Sequence, residues 1–316
     1  NRGYKVKFNL SSIKYLLNIL EQNTLDKRDF NRLIKTKGVK GFLKHQKSIN
    51  GSIIIGNMEE ELTRVILNKD YEDRYEFHRL KENIFQVHKD IEYIKKNHDE
   101  IIEKALENVY KIIPKDMSTG FNIYLYIGGI DGGFTVDRKK IFINYGKYIG
   151  LGQEFVKILS HEIYHSRNIP LNNRLRFLLR MMLSDNPEAY EIIGKIVEEG
   201  IASLIQHGKV LKVDDPVGTL TNRNLFMIKR EFDLLNRILL DIKTGEFDCN
   251  RISKLNIYAI GYHIISRVYS NEGVLILDDW TVGLRYEAIM EKYIEICNVN
   301  GKLSGFDEGV IEMITG

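Results

Sequence analysis

The chain of 316 residues carries 46 Lys and Arg against 43 Asp and Glu, a net charge of +3, with 43% hydrophobic and 10% aromatic residues. That length and composition suit a globular core of one large or two modest domains, and the charge is too small to argue for nucleic acid or an anionic membrane as partner. No run of eighteen apolar residues occurs, so no transmembrane segment is predicted.

Apolar residues recur at helical spacing over positions 10–22 and 59–67. The same period runs through the charged stretch 72–113, set by Ile84, Val87, Ile91 and Ile94 and then by Ile101, Ile102, Leu106 and Val109. Residues 1–118 therefore read as a helical N-terminal region, and 119–316 as a second domain. The basic cluster at 35–47, which includes His45, reads as a solvated face, because acidic residues interleave along the later helix.

Strand signals concentrate at 122–127 and 140–145, where residues alternate and are β-branched or aromatic. The turn-forming segment 128–133 between them predicts a small antiparallel sheet leading into the next helix. This segment is not a nucleotide loop: it lacks Gly-Lys-Ser/Thr and the Gly-x-Gly-x-x-Gly spacing, and no Asp-x-Asp calcium ladder accompanies it.

His161-Glu162-Ile163-Tyr164-His165 follows, flanked by Phe155, Ile158 and Leu159 at helical spacing, with Gly150 and Gly152 before and Pro170 after. Residues four apart share a helix face, so both imidazoles can reach one metal ion while Glu162 stands beside the open coordination position. With 8 His in the chain, chance would supply the pattern about 0.02 times. The spacing therefore predicts a zinc site with its own base.

A third ligand must come from elsewhere. The metzincin continuation fails, since position 168 is Asn and position 171 is Leu. Residues 188–207 have helical periodicity and offer Glu188, Glu191, Glu198, Glu199 and His207. Gly194 and Gly200 cost about 1 kcal/mol each in a helix interior unless something approaches closely. Gly200 is read as the contact with the motif helix.

The pairing of His-Glu-x-x-His with a later Glu-Gly-x-Ala, here Glu199-Gly200-Ile201-Ala202, resembles the gluzincin metallopeptidases, the clan of thermolysin and aminopeptidase N. Within that clan it looks most like poorly characterised bacterial zinc proteases, and the resemblance spans about residues 120–270. It implies an α+β, predominantly helical, zincin-like fold, with a small antiparallel sheet over the motif helix and a helical C-terminal lobe. It also implies Zn²⁺ held by His161, His165 and Glu199, with Glu162 as the base and a peptide or protein as substrate. Tyr258, in Tyr258-Ala259-Ile260-Gly261, corresponds to the phenol that supports the oxyanion, with Tyr262 and His263 as alternatives. Gly133, Phe134 and Asn144 fall where an edge strand would pair with extended substrate. Two departures stand out: 34 residues separate His165 from Glu199, and Ser203 replaces the Asp that orients a zinc histidine in thermolysin-like chains.

An endopeptidase is expected over an aminopeptidase, because only Asp131 is available to bind a free amine in the glycine-rich segment. The competing expectation is a degenerate, non-catalytic zincin serving as a helical interaction protein; retention of Glu162 favours catalysis. Trp280, within 272–282, reads as core packing before a hairpin or lid. Cys249 and Cys297 lack metal spacing. Compartment and oligomeric state stay open, and the Lys, Ile and Asn bias is that of a low-GC bacterium.

Overall fold

A computed structural model describes residues 6–50, 55–113 and 120–316. The expected boundary at 118/119 lies outside the described residues. The chain divides into two compact units: Asn1–Glu107 with Ser118–Arg167, and Asn108–Met117 with Asn168–Gly316. It is mainly helical, with one small mixed sheet.

In the first unit α1 (Ser11–Leu20) and α4 (Ile55–Leu67) form at the predicted apolar periodicities, and α2 (Lys27–Lys35) and α3 (Lys37–Asn50) lie between them. The stretch 72–113 is broken into α5 (Phe77–Glu82), α6 (Ile84–Lys96) and α7 (His98–Tyr110), with Asn83 and Asn97 at the breaks. The four strands are β1 (Lys7–Asn9), β2 (Asn122–Tyr126), β3 (Gly133–Val136) and β4 (Lys140–Asn144), in the order β1-β2-β4-β3.

The expectation of a wholly antiparallel sheet is corrected. β1 pairs with β2 in parallel, β2 pairs with β4 in parallel with Ile123 opposite Ile141, and only β3 and β4 are antiparallel, with Phe134 opposite Phe142. The reversal occurs at Asp137-Arg138, where two positive φ values (51° and 55°) and the Lys139 N–Val136 O bond make a tight turn of the primed kind. The glycine-rich segment is not a hairpin turn. It carries the chain past the position of β4 to the sheet's edge, as a parallel pair demands.

Alternation assigns the two faces of this sheet. Tyr124, Phe142 and Phe134 stack at centroid separations of 5.0 and 4.8 Å on the face that meets α3, where Gly41 admits the Phe142 ring. Gly133, Thr135, Ile141 and Ile143 lie on the other, against α8 (Gly152–His165), which packs on β3 and β4.

The second unit is helical: α9 (Leu171–Leu183), α10 (Pro187–His207), α11 (Asn222–Phe226), α12 (Ile228–Thr244), α13 (Ile257–Glu272), α14 (Asp278–Thr281), α15 (Glu287–Val299) and α16 (Glu308–Thr315). α10 starts with Pro187 in its first turn and stops at Gly208, whose φ of 73° favours glycine. Its centre is apolar nearly all round, as a helix enclosed by others must be. Gly200 meets α13, not the motif helix as expected: a Cβ there would lie 2.5 Å from the Gly261 carbonyl oxygen. Two glycines thus let the backbones of α10 and α13 touch. Gly194 faces aromatic side chains, its Cβ position 3.1 Å from Trp280 Cη2. Among the described residues, no helix is long and apolar enough to cross a membrane.

Candidate metal centre

α8 begins after Gly150, whose φ is 70°, and buries Phe155, Ile158, Leu159 and Ile163. That apolar anchoring fixes the rotation of the helix and carries His161 and Glu162 inward, both only 4% exposed, while His165 is half-buried at the last turn. The two imidazoles are 5.0 Å apart between centroids, at 64° to each other. One donor atom from each of His161, His165 and Glu199 lies within 4.8 Å of the others.

That donor set fits zinc chemically, since two imidazoles and a carboxylate are among the combinations Zn²⁺ takes with an open fourth position.

The other candidates on α10, Glu188, Glu191, Glu198 and His207, are not in this group. Glu198 Oε2 accepts from Trp280 Nε1 at 2.5 Å, and that indole is buried. His207 sits at the end of α10 beside the Tyr262 ring, 6.4 Å between centroids. Trp280 is core packing, with Phe177 edge-on at 6.0 Å.

Glu162 has a partner that the sequence did not reveal. Thr135 Oγ1 donates to Glu162 Oε2 at 2.8 Å, with the Glu162 carbonyl at 3.2 Å. Gly133 makes room for the same side chain, because a Cβ there would lie 3.2 Å from Glu162 Cγ. Both residues belong to β3, so the edge strand holds the carboxylate from its α8-facing side. Arg167, also missed, is fully buried; its guanidinium lies 4.0 Å from the Tyr164 ring centroid and donates to the Tyr164 carbonyl at 3.2 Å. Only its closeness to His165 could have drawn notice.

The residues expected to bind substrate divide by chemistry. Phe134 is buried and stacks on His45 at 3.9 Å, on the sheet face away from Glu162. Asn144 is 1% exposed, and its amide holds the glycine-rich loop, donating to the Gly128 and Asp131 carbonyls at 2.8 and 3.1 Å and accepting from Gly128 N at 3.2 Å. The Asn144 N–Gly132 O bond sets the alternation of the β3–β4 ladder, turning the backbone groups of Gly133 and Thr135 away from β4. Asp131 is paired with His45 at 3.3 Å.

Among the oxyanion candidates, Tyr258 is half-buried in the first turn of α13, on the same face as Gly261. Tyr262 donates to the Gly208 carbonyl at 2.7 Å, and burial pushes its phenol up to about 12. His263 is pushed down to about 4 by burial and then by Arg267, and packs edge-on against Phe232 and Tyr293. Both alternatives are committed to packing.

No curated protein and no solved structure matches this chain. One family model does, over residues 30–302, which include the His161–His165 motif, Glu199 and Tyr258. The chain belongs to that family, described as "Putative zinc dependent peptidase (DUF5700)".

Proposed function

We propose that this protein is a gluzincin-type peptidase that hydrolyses peptide bonds at a zinc ion held by His161, His165 and Glu199. Bound there, zinc would acidify a water molecule and polarise the scissile carbonyl. Glu162 takes the proton as that water attacks and returns it to the departing amine. Thr135 fixes the Glu162 carboxylate through Oε2. Tyr258 donates to the oxyanion. The outward backbone groups of Gly133 and Thr135 take up an extended substrate as an added strand, and Asn144 serves by holding the loop that leads into β3. A zincin-like fold is the corresponding reading of the sheet and α8.

The observation that carries this reading is the convergence of three donors of zinc-binding type beside a buried carboxylate already held by a hydroxyl. Endopeptidase action is supported by the pairing of Asp131, the acid of the glycine-rich loop, with His45. The test is casein cleavage by the zinc-loaded chain. Glu162→Gln should keep one zinc per chain and lose roughly 10²–10⁴ in kcat. Cleavage by that variant at the native rate would refute the role of Glu162, and an inert zinc-loaded protein would refute peptidase activity.

A further inference from the structure

α9 has no buried residue along its 13 positions, a property that only the five-residue α11 shares among the α-helices of the second unit. Its inner side is nevertheless firmly attached. Phe177 packs on Tyr190 and Trp280, Asn173 donates to the Val282 carbonyl, and Arg180 donates to the Gly283 and Leu284 carbonyls and to the Tyr190 hydroxyl. Six large apolar side chains are left facing solvent. Leu171, Leu175, Leu178, Leu179, Met182 and Leu183 are between 46% and 82% exposed.

Their placement is ordered. At 100° per residue these six fall within an arc of about 140°, opposite Phe177, and Asn172 is the one polar residue inside it. Arg174 lies roughly 40° beyond one border and Arg176 roughly 20° beyond the other. Both arginines are exposed, and no acidic residue occurs between Leu171 and Leu183. The small net charge of the whole chain hides this local +3, of which Arg180 is turned inward.

We propose that the outer face of α9 docks on an anionic lipid surface, independently of the zinc chemistry. A broad apolar stripe bordered on both sides by cations is the arrangement with which a helix lies in a bilayer interface, leucines among acyl chains and guanidinium groups at the phosphates. A second copy of the chain fits less well. A two-fold contact through this stripe would face Arg174 and Arg176 toward their own copies, with no acid on the helix to pair them. Such docking needs no membrane-crossing segment.

Flotation of the full chain with vesicles tests this, using equal parts phosphatidylglycerol and phosphatidylcholine against phosphatidylcholine alone. The wild type should float with the anionic vesicles. Arg174→Gln combined with Arg176→Gln should lower partitioning roughly thirty-fold. Leu178→Asp combined with Leu179→Asp should abolish it while circular dichroism and melting stay unchanged; if that pair unfolds, the more exposed Leu183→Asp replaces it. A wild type that stays unbound, or variants that bind equally, would overturn the proposal. So would a concentration-dependent dimer dispersed by the Leu178 and Leu179 changes without vesicle binding, which gives the face to a second copy. Capture of unfolded casein by this face in place of vesicles would overturn it in favour of a polypeptide partner.

Discussion

Gly200→Ala separates two effects that predict opposite signs. In a helix interior, alanine in place of glycine stabilises by about 1 kcal/mol when nothing else changes. Here the new methyl would lie 2.5 Å from the Gly261 carbonyl oxygen and 2.7 Å from Ile265 Cγ1. The first of these is backbone and cannot rotate aside, so α10 and α13 must separate. Overpacking of this kind costs about 1–3 kcal/mol, and a rigid backbone contact belongs at the upper end. A net loss of ~2 kcal/mol is expected, a fall of about 3 °C in Tm for a chain of this size. Urea unfolding of wild type, Gly200→Ala and Gly194→Ala measures it. Gly194 is on the same helix with the same propensity gain, but its Cβ would meet the edge of the Trp280 ring at 3.1 Å, which can shift. Gly194→Ala should therefore be near neutral. Because Glu199 adjoins Gly200 and Tyr258 lies one turn before Gly261, Gly200→Ala should also weaken zinc binding. A Gly200→Ala protein more stable than wild type by about 1 kcal/mol would refute the close approach of the two helices.

Two further outcomes follow from contacts described above. Thr135→Val removes the hydroxyl on Glu162 Oε2 with little change of shape; kcat on a fluorogenic peptide should fall roughly tenfold at unchanged zinc content and KM. An unaltered kcat would show that Glu162 needs no such support. For His263, a folded pKa of about 4 against an ordinary 6.5 means that the unfolded chain binds the proton first as pH falls. Stability is thus complete above pH 6.5 and declines between 6.5 and 4, by about 2.5 kcal/mol at pH 4.5. Comparing urea unfolding of wild type and His263→Phe at pH 7 and 4.5 isolates this contribution. An identical pH dependence in the two would refute it.

What the sequence disclosed was what depends on local spacing. His161 and His165 are four apart on a helix whose apolar residues were visible, so their common face needed no knowledge of the rest of the fold. α1, α4 and the helices of 72–113 declared themselves through the same period, whereas α2 and α3 did not. Long-range pairing was hidden. β1 has three residues and finds its partner at Asn122, 115 positions away, and nothing in Lys7–Asn9 alone announces a strand. The glycine-rich segment looked like a turn because it has turn composition, yet composition does not distinguish a hairpin from a crossing loop pinned by Asn144. Gly200 was correctly marked as a point of close approach, but helix propensity says only that a neighbour is near, not that the neighbour is α13. Thr135 was out of sight for the same reason: its bond to Glu162 spans 27 positions and depends on which face β3 turns to α8.

Zinc titration of the metal-free protein, compared among wild type, Glu199→Ala and Glu198→Gln, tests the metal centre most directly. Wild type should bind one zinc per chain, and Glu199→Ala should lose more than the roughly 10–100-fold that removing an outer partner costs. Glu198→Gln, whose amide oxygen can still accept from Trp280, should bind as wild type does. Undiminished affinity in Glu199→Ala, or its loss in Glu198→Gln alone, would contradict the assignment.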